Sequence, residues 1–356
     1  MTATTNLGAA RRISWTAGGA FAAFYIFYAA APVAFAHATP GAGVRVSVVM
    51  LIVVAVQPLV PLLGRWGISR QKAVAVAVAM MGTGSAVMPL LQQWPGQSLL
   101  AIGFGIFVVA STAWVKEISP PGRLGKALGI YGLGSAVGGA IGAPVGIYLI
   151  GRFGLTGVAI AGSTVAIAAA LLAVQMKPAA CSTAPVSNAG HAEIATVQRA
   201  PAPTGRVTAA VTLLGHIGAV TVYASVLSGL AVAPLGQSSW ATTGAAFLVQ
   251  AFLAAGRMAG GLAGGRGRRI HLGLPVVAVL VASTVGFYIS ATPLQAIVFS
   301  MLVAFTSGIC QTAALTSLMS RATGAGRTDR ASAAWNICFD VGLGLGALTA
   351  STTPPR

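Results

Sequence analysis

A chain of 356 residues, 56% hydrophobic and only 7% charged, does not have the composition of a water-soluble globular domain. Its 21 lysines and arginines stand against four acids, for a net charge of +17; on a soluble protein that excess would point to nucleic acid. Here the cations are scattered through short breaks between apolar runs, so the excess reads as the positive-inside bias of a polytopic membrane protein, and a nucleic-acid partner is not expected.

Taken in order, the apolar runs cover residues 14–36, 44–63, 73–91, 98–115, 128–150, 155–176, 207–232, 240–262, 270–290, 294–318 and 333–350. Each is near the roughly 20 residues that cross a hydrocarbon core of about 30 Å. The first follows Arg11-Arg12 and ends on Ala34-Phe35-Ala36, which has the look of a cleavable leader. A leader's apolar core is about 7–15 residues, however, and this run is longer and carries Phe21, Phe24, Tyr25, Phe27 and Tyr28; it is expected to be a retained helix. With the N-terminus inside, 18 of the 21 cations fall on inner segments, among them Arg65, Arg70, Lys72, Lys116, Arg123, Lys126, Arg257 and Arg266. Only Arg45, Arg152 and Arg356 fall outside, and that asymmetry sets the orientation.

Residues 177–206 form the one long polar stretch, with Pro178, Pro185, Pro201 and Pro203 among Ala, Ser and Thr. They read as a flexible cytoplasmic linker. The expected organisation is a cytoplasmic N-terminus (1–13), a six-helix bundle (14–176), the linker (177–206), a five-helix bundle (207–351) and a short tail (352–356). The fold class is an all-α polytopic membrane protein of two pseudo-symmetric helical bundles.

The symmetry is written in the sequence. Residues 123–146 read RLGKALGIYGLGSAVGGAIGAPVG, and 204 residues later 327–348 read RTDRASAAWNICFDVGLGLGAL. Arg123 falls on Arg327, Lys126 on Arg330, Tyr131 on Trp335, Gly138 on Gly342 and Gly142 on Gly346. So long a period suits a duplicated membrane half rather than a solenoid repeat. Within the first copy Gly134, Gly138, Gly142 and Gly146 lie one helical turn apart on one stripe, a spacing that lets two backbones approach closely in lipid. Pro144 interrupts the same helix and favours a bend. A nucleotide-binding glycine loop would need a strand before it, which the sequence does not offer.

The inner loops carry a second pattern. Residues 260–269 read GGLAGGRGRR and residues 64–73 read GRWGISRQKA. These resemble the Gly-x-Leu-x-Asp-Arg-x-Gly-Arg-Arg loops of the major facilitator superfamily. Gly260, Leu262, Gly267, Arg268 and Arg269 match, and Gly64 and Lys72 match more loosely; Gly264 and Ile68 stand where the pattern has its acid. AIGAPVG (140–146), with PPGRLGKALGIYG (120–132) before it, resembles the fifth-helix signature of that superfamily's drug–proton antiporters. The fourth span differs from them in holding no charge between Ser98 and Val115. The resemblance implies twelve helices where eleven are read, so a form lacking the last helix is expected. It also implies alternating access about a central site, a cytoplasmic gate at Gly64, Arg65, Lys72, Glu117, Arg123, Gly260, Gly267, Arg268 and Arg269, and the glycine stripe as a sliding seam.

Asp340 is the only acid within a span. It lies ten residues past Arg330, or about 15 Å along a helix, close to the bilayer middle. A carboxylate there costs roughly 2.5–3.5 kcal/mol on insertion scales, so it is expected to face a cavity or a partner. His216 lies ten residues past Arg206, at a similar depth. Two readings stay open: a proton-handling group made of Asp340 with His216 or of Asp340 alone, and a structural hydrogen bond with His216 a satisfied interior residue. Tyr25, Gln57, Tyr223, Gln250, Gln311 and Asn336 are candidates to line an apolar cavity with few polar anchors. No metal-ligand cluster, nucleophile–base pair or phosphate loop can be placed, so neither an enzyme nor a cofactor is expected.

The sequence is therefore expected to encode a secondary transporter of a bacterial inner membrane, acting as a monomer and moving a small apolar or amphipathic compound outward on the proton gradient. An uncoupled facilitator or importer of a small metabolite, and a non-transporting remnant, are the alternatives.

Overall fold

The computed structural model describes residues 8–35, 41–90, 94–118, 124–176, 205–232, 239–264, 274–321 and 325–352, and these are helical almost throughout. In chain order the helices are α1 (Gly8–Ala34), α2 (Ala42–Val56), α3 (Val60–Arg65), α4 (Arg70–Val87), α5 (Trp94–Ile118) and α6 (Leu124–Val174). The second half supplies α7 (Gly205–Val232), α8 (Ser239–Gly264), α9 (Leu274–Tyr288), α10 (Pro293–Arg321) and α11 (Ala325–Thr352). All but the last two residues of the expected linker lie outside the described residues.

Helix limits follow from local chemistry. Pro58 and Pro61 each lack a backbone N–H, and the chain tightens to a 3-10 turn over Gln57–Leu59, so α2 and α3 form one crossing with a break in its second half. Gly67, at φ 74, turns the chain, and the Ser69 hydroxyl then caps α4 by accepting from the Lys72 backbone N–H at 3.3 Å. Within α6 the apolar stretch Ile130–Val174 is 45 residues long. At 1.5 Å per residue that is roughly 68 Å, more than twice the hydrocarbon thickness, so it must double back. It does so at Gly154 (φ 62, ψ −162), a conformation that a side chain would strain.

Among the described residues seven helices are long and apolar enough to cross a membrane, and the chain is a multi-pass membrane protein. Many large apolar side chains on them are exposed, including Leu51, Val76, Ile160, Leu214 and Val281, as a lipid-facing surface requires. Helices α1, α2, α4, α5 and α6 pack as one bundle and α7–α11 as the other. The pairings repeat: α1 on α6 corresponds to α7 on α11, and the two bundles meet where α2 lies on α11 and α6 on α8. The duplicated stretches thus occupy equivalent places.

The glycine stripe has a different position from the one expected. A Cβ added at Gly138, Gly142 or Gly146 would run into the backbone of Gly18, Ala22 or Ile26, all on α1. The stripe lies inside the first bundle and lets α6 sit directly on α1. It is not a sliding surface between bundles, because what faces it belongs to the same half.

Candidate functional site

The polar groups at the centre of the molecule form two connected sets. The first joins the bundles at α11. Gln57, at the proline-made break after α2, donates its amide N–H to a carboxylate oxygen of Asp340. One turn further along α11 the Tyr28 hydroxyl of α1 donates to the Leu343 carbonyl at 2.9 Å, and the Ser47 hydroxyl of α2 donates to that of Gly344 at 2.8 Å. Three side chains of the first bundle thus converge on residues 340–344. Asp340 is 1% exposed, and its second oxygen has no partner among the described residues.

The second set lies between α7, α8, α10 and α11. Arg257 of α8 directs Nε (2.9 Å) and one Nη (2.7 Å) to the same Gln311 oxygen on α10, and its guanidinium lies 5.7 Å from the centre of the Phe339 ring. Gln311 in turn donates to Ser307 Oγ at 3.1 Å, Ser307 donates to the Ala219 carbonyl of α7 at 2.7 Å, and Trp335 Nε1 donates to the Gln311 carbonyl at 3.2 Å. His216 stacks on Trp335, with ring centres 5.0 Å apart, and lies against Phe339 at 6.2 Å. Two turns up α7 the Tyr223 hydroxyl donates to Gln250 Oε1 at 2.9 Å. Tyr25 of α1 and Gln250 Oε1 both lie beside Gly139 of α6, 3.4 and 3.9 Å from the position a Cβ would take there.

Tyr25, Tyr223, Gln250 and Gln311 are therefore brought into one region with Arg257, whereas Gln57 and Asp340 form a neighbouring pair. His216 is held by aromatic rings, and the hydrogen bond to Asp340 comes from Gln57. Asn336 donates to the Ser332 carbonyl of its own helix at 3.0 Å. Arg257 was expected on an inner segment and instead sits within α8, half-buried. Hydropathy had already enclosed it in the eighth span, and only its charge suggested a loop. Phe339 and Ser307, too, gave no sign beyond lying in apolar runs, and Trp335 stood out only as the repeat counterpart of Tyr131.

At the ends of the helices Arg70 pairs with Glu117 at 3.0 Å, and Lys72 is exposed. Gln71 donates to the carbonyls of Ala173 (3.2 Å), Val174 (2.9 Å) and Met176 and so ties α4 to the end of α6. Gly64 and Arg65 close α3, and Gly260 packs against Ile309 of α10. Arg123, Gly267, Arg268 and Arg269 lie outside the described residues.

Two bundles related by a repeat, with a polar centre between them, define a secondary transporter fold. The profile of the Major Facilitator Superfamily matches residues 13–347, and the chain belongs to that superfamily. Solved structures share the fold at low identity. A D-xylose–proton symporter superposes with a TM-score of 0.71 at 15% identity, covering 97% of this chain and 89% of that one. A bacterial homologue of the human lysosomal transporter Spinster, inward-facing and occupied, gives 0.68 at 15% identity, covering 96% and 80%. The human organic anion transporter MFSD10 gives 0.65 at 16% identity, covering 96% and 92%. No curated protein sequence matches the chain.

Proposed function

We propose that this protein is a proton-driven exporter of small amphipathic compounds, set in a bacterial inner membrane with its N-terminus inside. The observation that carries the reading is Asp340, the one acid within a span, hydrogen-bonded to Gln57 where α11 of one bundle meets α2 of the other. A hydrogen bond to an ionised group is worth about 1.5–3 kcal/mol and one between neutral groups about 0.5–1.5 kcal/mol. Taking up a proton at Asp340 therefore weakens a tie between the bundles, and losing it restores the tie. A change of that size biases a two-state rocking motion, which is how a proton flux and a substrate flux become linked. Tyr25 of the first bundle, near Gln250 of the second, is in keeping with a substrate region between the bundles.

The test uses the purified protein in vesicles with an imposed proton gradient. Substrate moves against its own gradient in the wild type and stops when the proton gradient is collapsed. Flux that ignores the gradient would instead identify an uncoupled facilitator. In an efflux-deficient host, expression raises tolerance to the substrate and a protonophore abolishes the gain.

A further inference from the structure

The reading above leaves the substrate as any small amphipathic compound, and the second polar set narrows it. We infer that Arg257, with His216 and Gln250, forms a site for the carboxylate of an amphipathic organic anion, whose apolar part lies against Trp335 and Phe339. This rests on the exporter reading and names the class of its cargo.

The first reason is the balance of donors and acceptors. Arginine carries five N–H donors and no acceptor. Among the described residues Arg257 makes hydrogen bonds only to Gln311 Oε1, so a full positive charge is met by one neutral amide oxygen. The one ion pair among those residues is Arg70–Glu117, far along the chain at the end of α5. Asp340 accepts from Gln57 through one carboxylate oxygen. Of the acceptors around Arg257, Gln250 Oε1 is used by Tyr223 and Gln311 Oε1 by the guanidinium itself, while the unpartnered oxygens of Asp340 and Gln57 belong to the neighbouring set at α2 and α11. Donors are left over as well: among the described residues the buried Gln250 Nε2 has no hydrogen-bond partner, and neither has either ring nitrogen of His216, which is 1% exposed and carries one N–H donor as a neutral imidazole. A buried region with donors left over and an uncompensated cation in a membrane interior is complementary to an anion.

The second reason is register. His216 and Tyr223 lie seven residues apart on α7, and Gln250 and Arg257 seven apart on α8, so each pair occupies one face two turns apart. Tyr223 meets Gln250 at one level, and His216 and Arg257 share the Phe339 ring at the other. The donors thus face one region over two turns. The stacked rings of His216, Trp335 and Phe339 form its apolar wall. An arginine presents a planar fork that suits a carboxylate, and the aromatic wall suits the remainder of an amphipathic molecule.

The test measures binding to the detergent-purified full chain by thermal shift. The probes are three aromatic acids (1-naphthoate, indole-3-acetate and cinnamate), each paired with its primary amide. At least one acid stabilises the wild type saturably while its amide does not. In Arg257→Gln the concentration for half-maximal shift of that acid rises about 10- to 100-fold, the equivalent of losing one hydrogen bond to a charged group. Amides that bind as well as acids, a panel in which no acid binds, or a variant that binds acids unchanged would each overturn the site. If Arg257→Gln does not fold, the acid–amide comparison on the wild type decides alone. An acid that binds but is not moved on an imposed proton gradient leaves the site standing and sinks the exporter reading. Gradient-driven flux of neutral compounds that survives Arg257→Gln does the reverse.

Discussion

Helix α6 lies on α1 in the first bundle as α11 lies on α7 in the second, yet the two seams are made differently. The first is close backbone packing: Gly134, Gly138, Gly142 and Gly146 meet Ser14, Gly18, Ala22 and Ile26 in turn. The second keeps two of those glycines, Gly342 against Val220 and Ile217, and Gly346 against Thr221, Ala224 and Ser225. Around them, however, it carries Trp335, Phe339 and Asp340, with His216 across from it on α7. On the function proposed above, one copy of the duplicated unit serves as a strut and the other carries the proton group. A rocking mechanism has use for both, since a bundle that deforms would dissipate the bias that a proton supplies at α11.

The largest effect expected from breaking this division is at Asp340. In Asp340→Asn the side chain keeps its size and can still pair with Gln57, but it can no longer gain or lose a proton. Gradient-driven flux is expected to fall by about 100-fold or more, the scale on which a proton-transfer group acts. Exchange of substrate across vesicles without a gradient is expected to persist. Full gradient-driven transport by Asp340→Asn would falsify the role proposed for it.

The next effect is on stability and belongs to the other seam. Gly142→Leu places a side chain against the Ala22 backbone, which cannot move aside as a flexible side chain can. Overpacking of this kind costs about 1–3 kcal/mol, and the detergent melting temperature is expected to fall accordingly. Gly132→Ala on the same helix meets nothing within 4 Å and is expected to melt like the wild type. Equal losses in the two variants would mean that α6 responds to lost glycine flexibility rather than to contact with α1.

How far the sequence revealed all this depended on the kind of signal. The spans, the repeat and the small-residue stripe were legible because lipid forces apolar runs of fixed length and because glycines one turn apart mark a close approach. Asp340 stood out as a lone acid. The partner of the stripe was not legible, since a spacing names a face but not what covers it. Arg257 was missed for a related reason: an arginine near the end of a span has the same composition whether its side chain reaches water or folds back onto Gln311. The link from Gln57 to Asp340, 283 positions apart, depends on tertiary structure that no local pattern contains.

A smaller effect is expected at Gln57, which touches the proton group without being one. Gln57→Leu removes the donor to Asp340 while leaving the carboxylate able to take up a proton. Losing a hydrogen bond to a charged group costs about 1.5–3 kcal/mol, so gradient-driven flux is expected to drop about tenfold and not to vanish. A loss as complete as that of Asp340→Asn would make the amide, and not the carboxylate alone, indispensable to coupling.

The smallest effect is expected at the helix ends, where two neighbouring residues of α4 allow a direct contrast. The Arg70–Glu117 pair is the more conspicuous, but the Glu117 side chain is 53% exposed, and ion pairs in such settings are worth about 0–1 kcal/mol. Gln71, beside it, donates to three carbonyls at and just past the end of α6, where a helix runs out of its own N–H donors. Glu117→Gln is therefore expected to leave both melting temperature and flux nearly unchanged, and Gln71→Ala to lower the melting temperature more than Glu117→Gln does. The opposite order would mean that the ion pair acts as a latch between conformations and gains its weight in a state other than the one described, and flux at raised ionic strength, which screens Glu117 but not Gln71, would then separate the two roles.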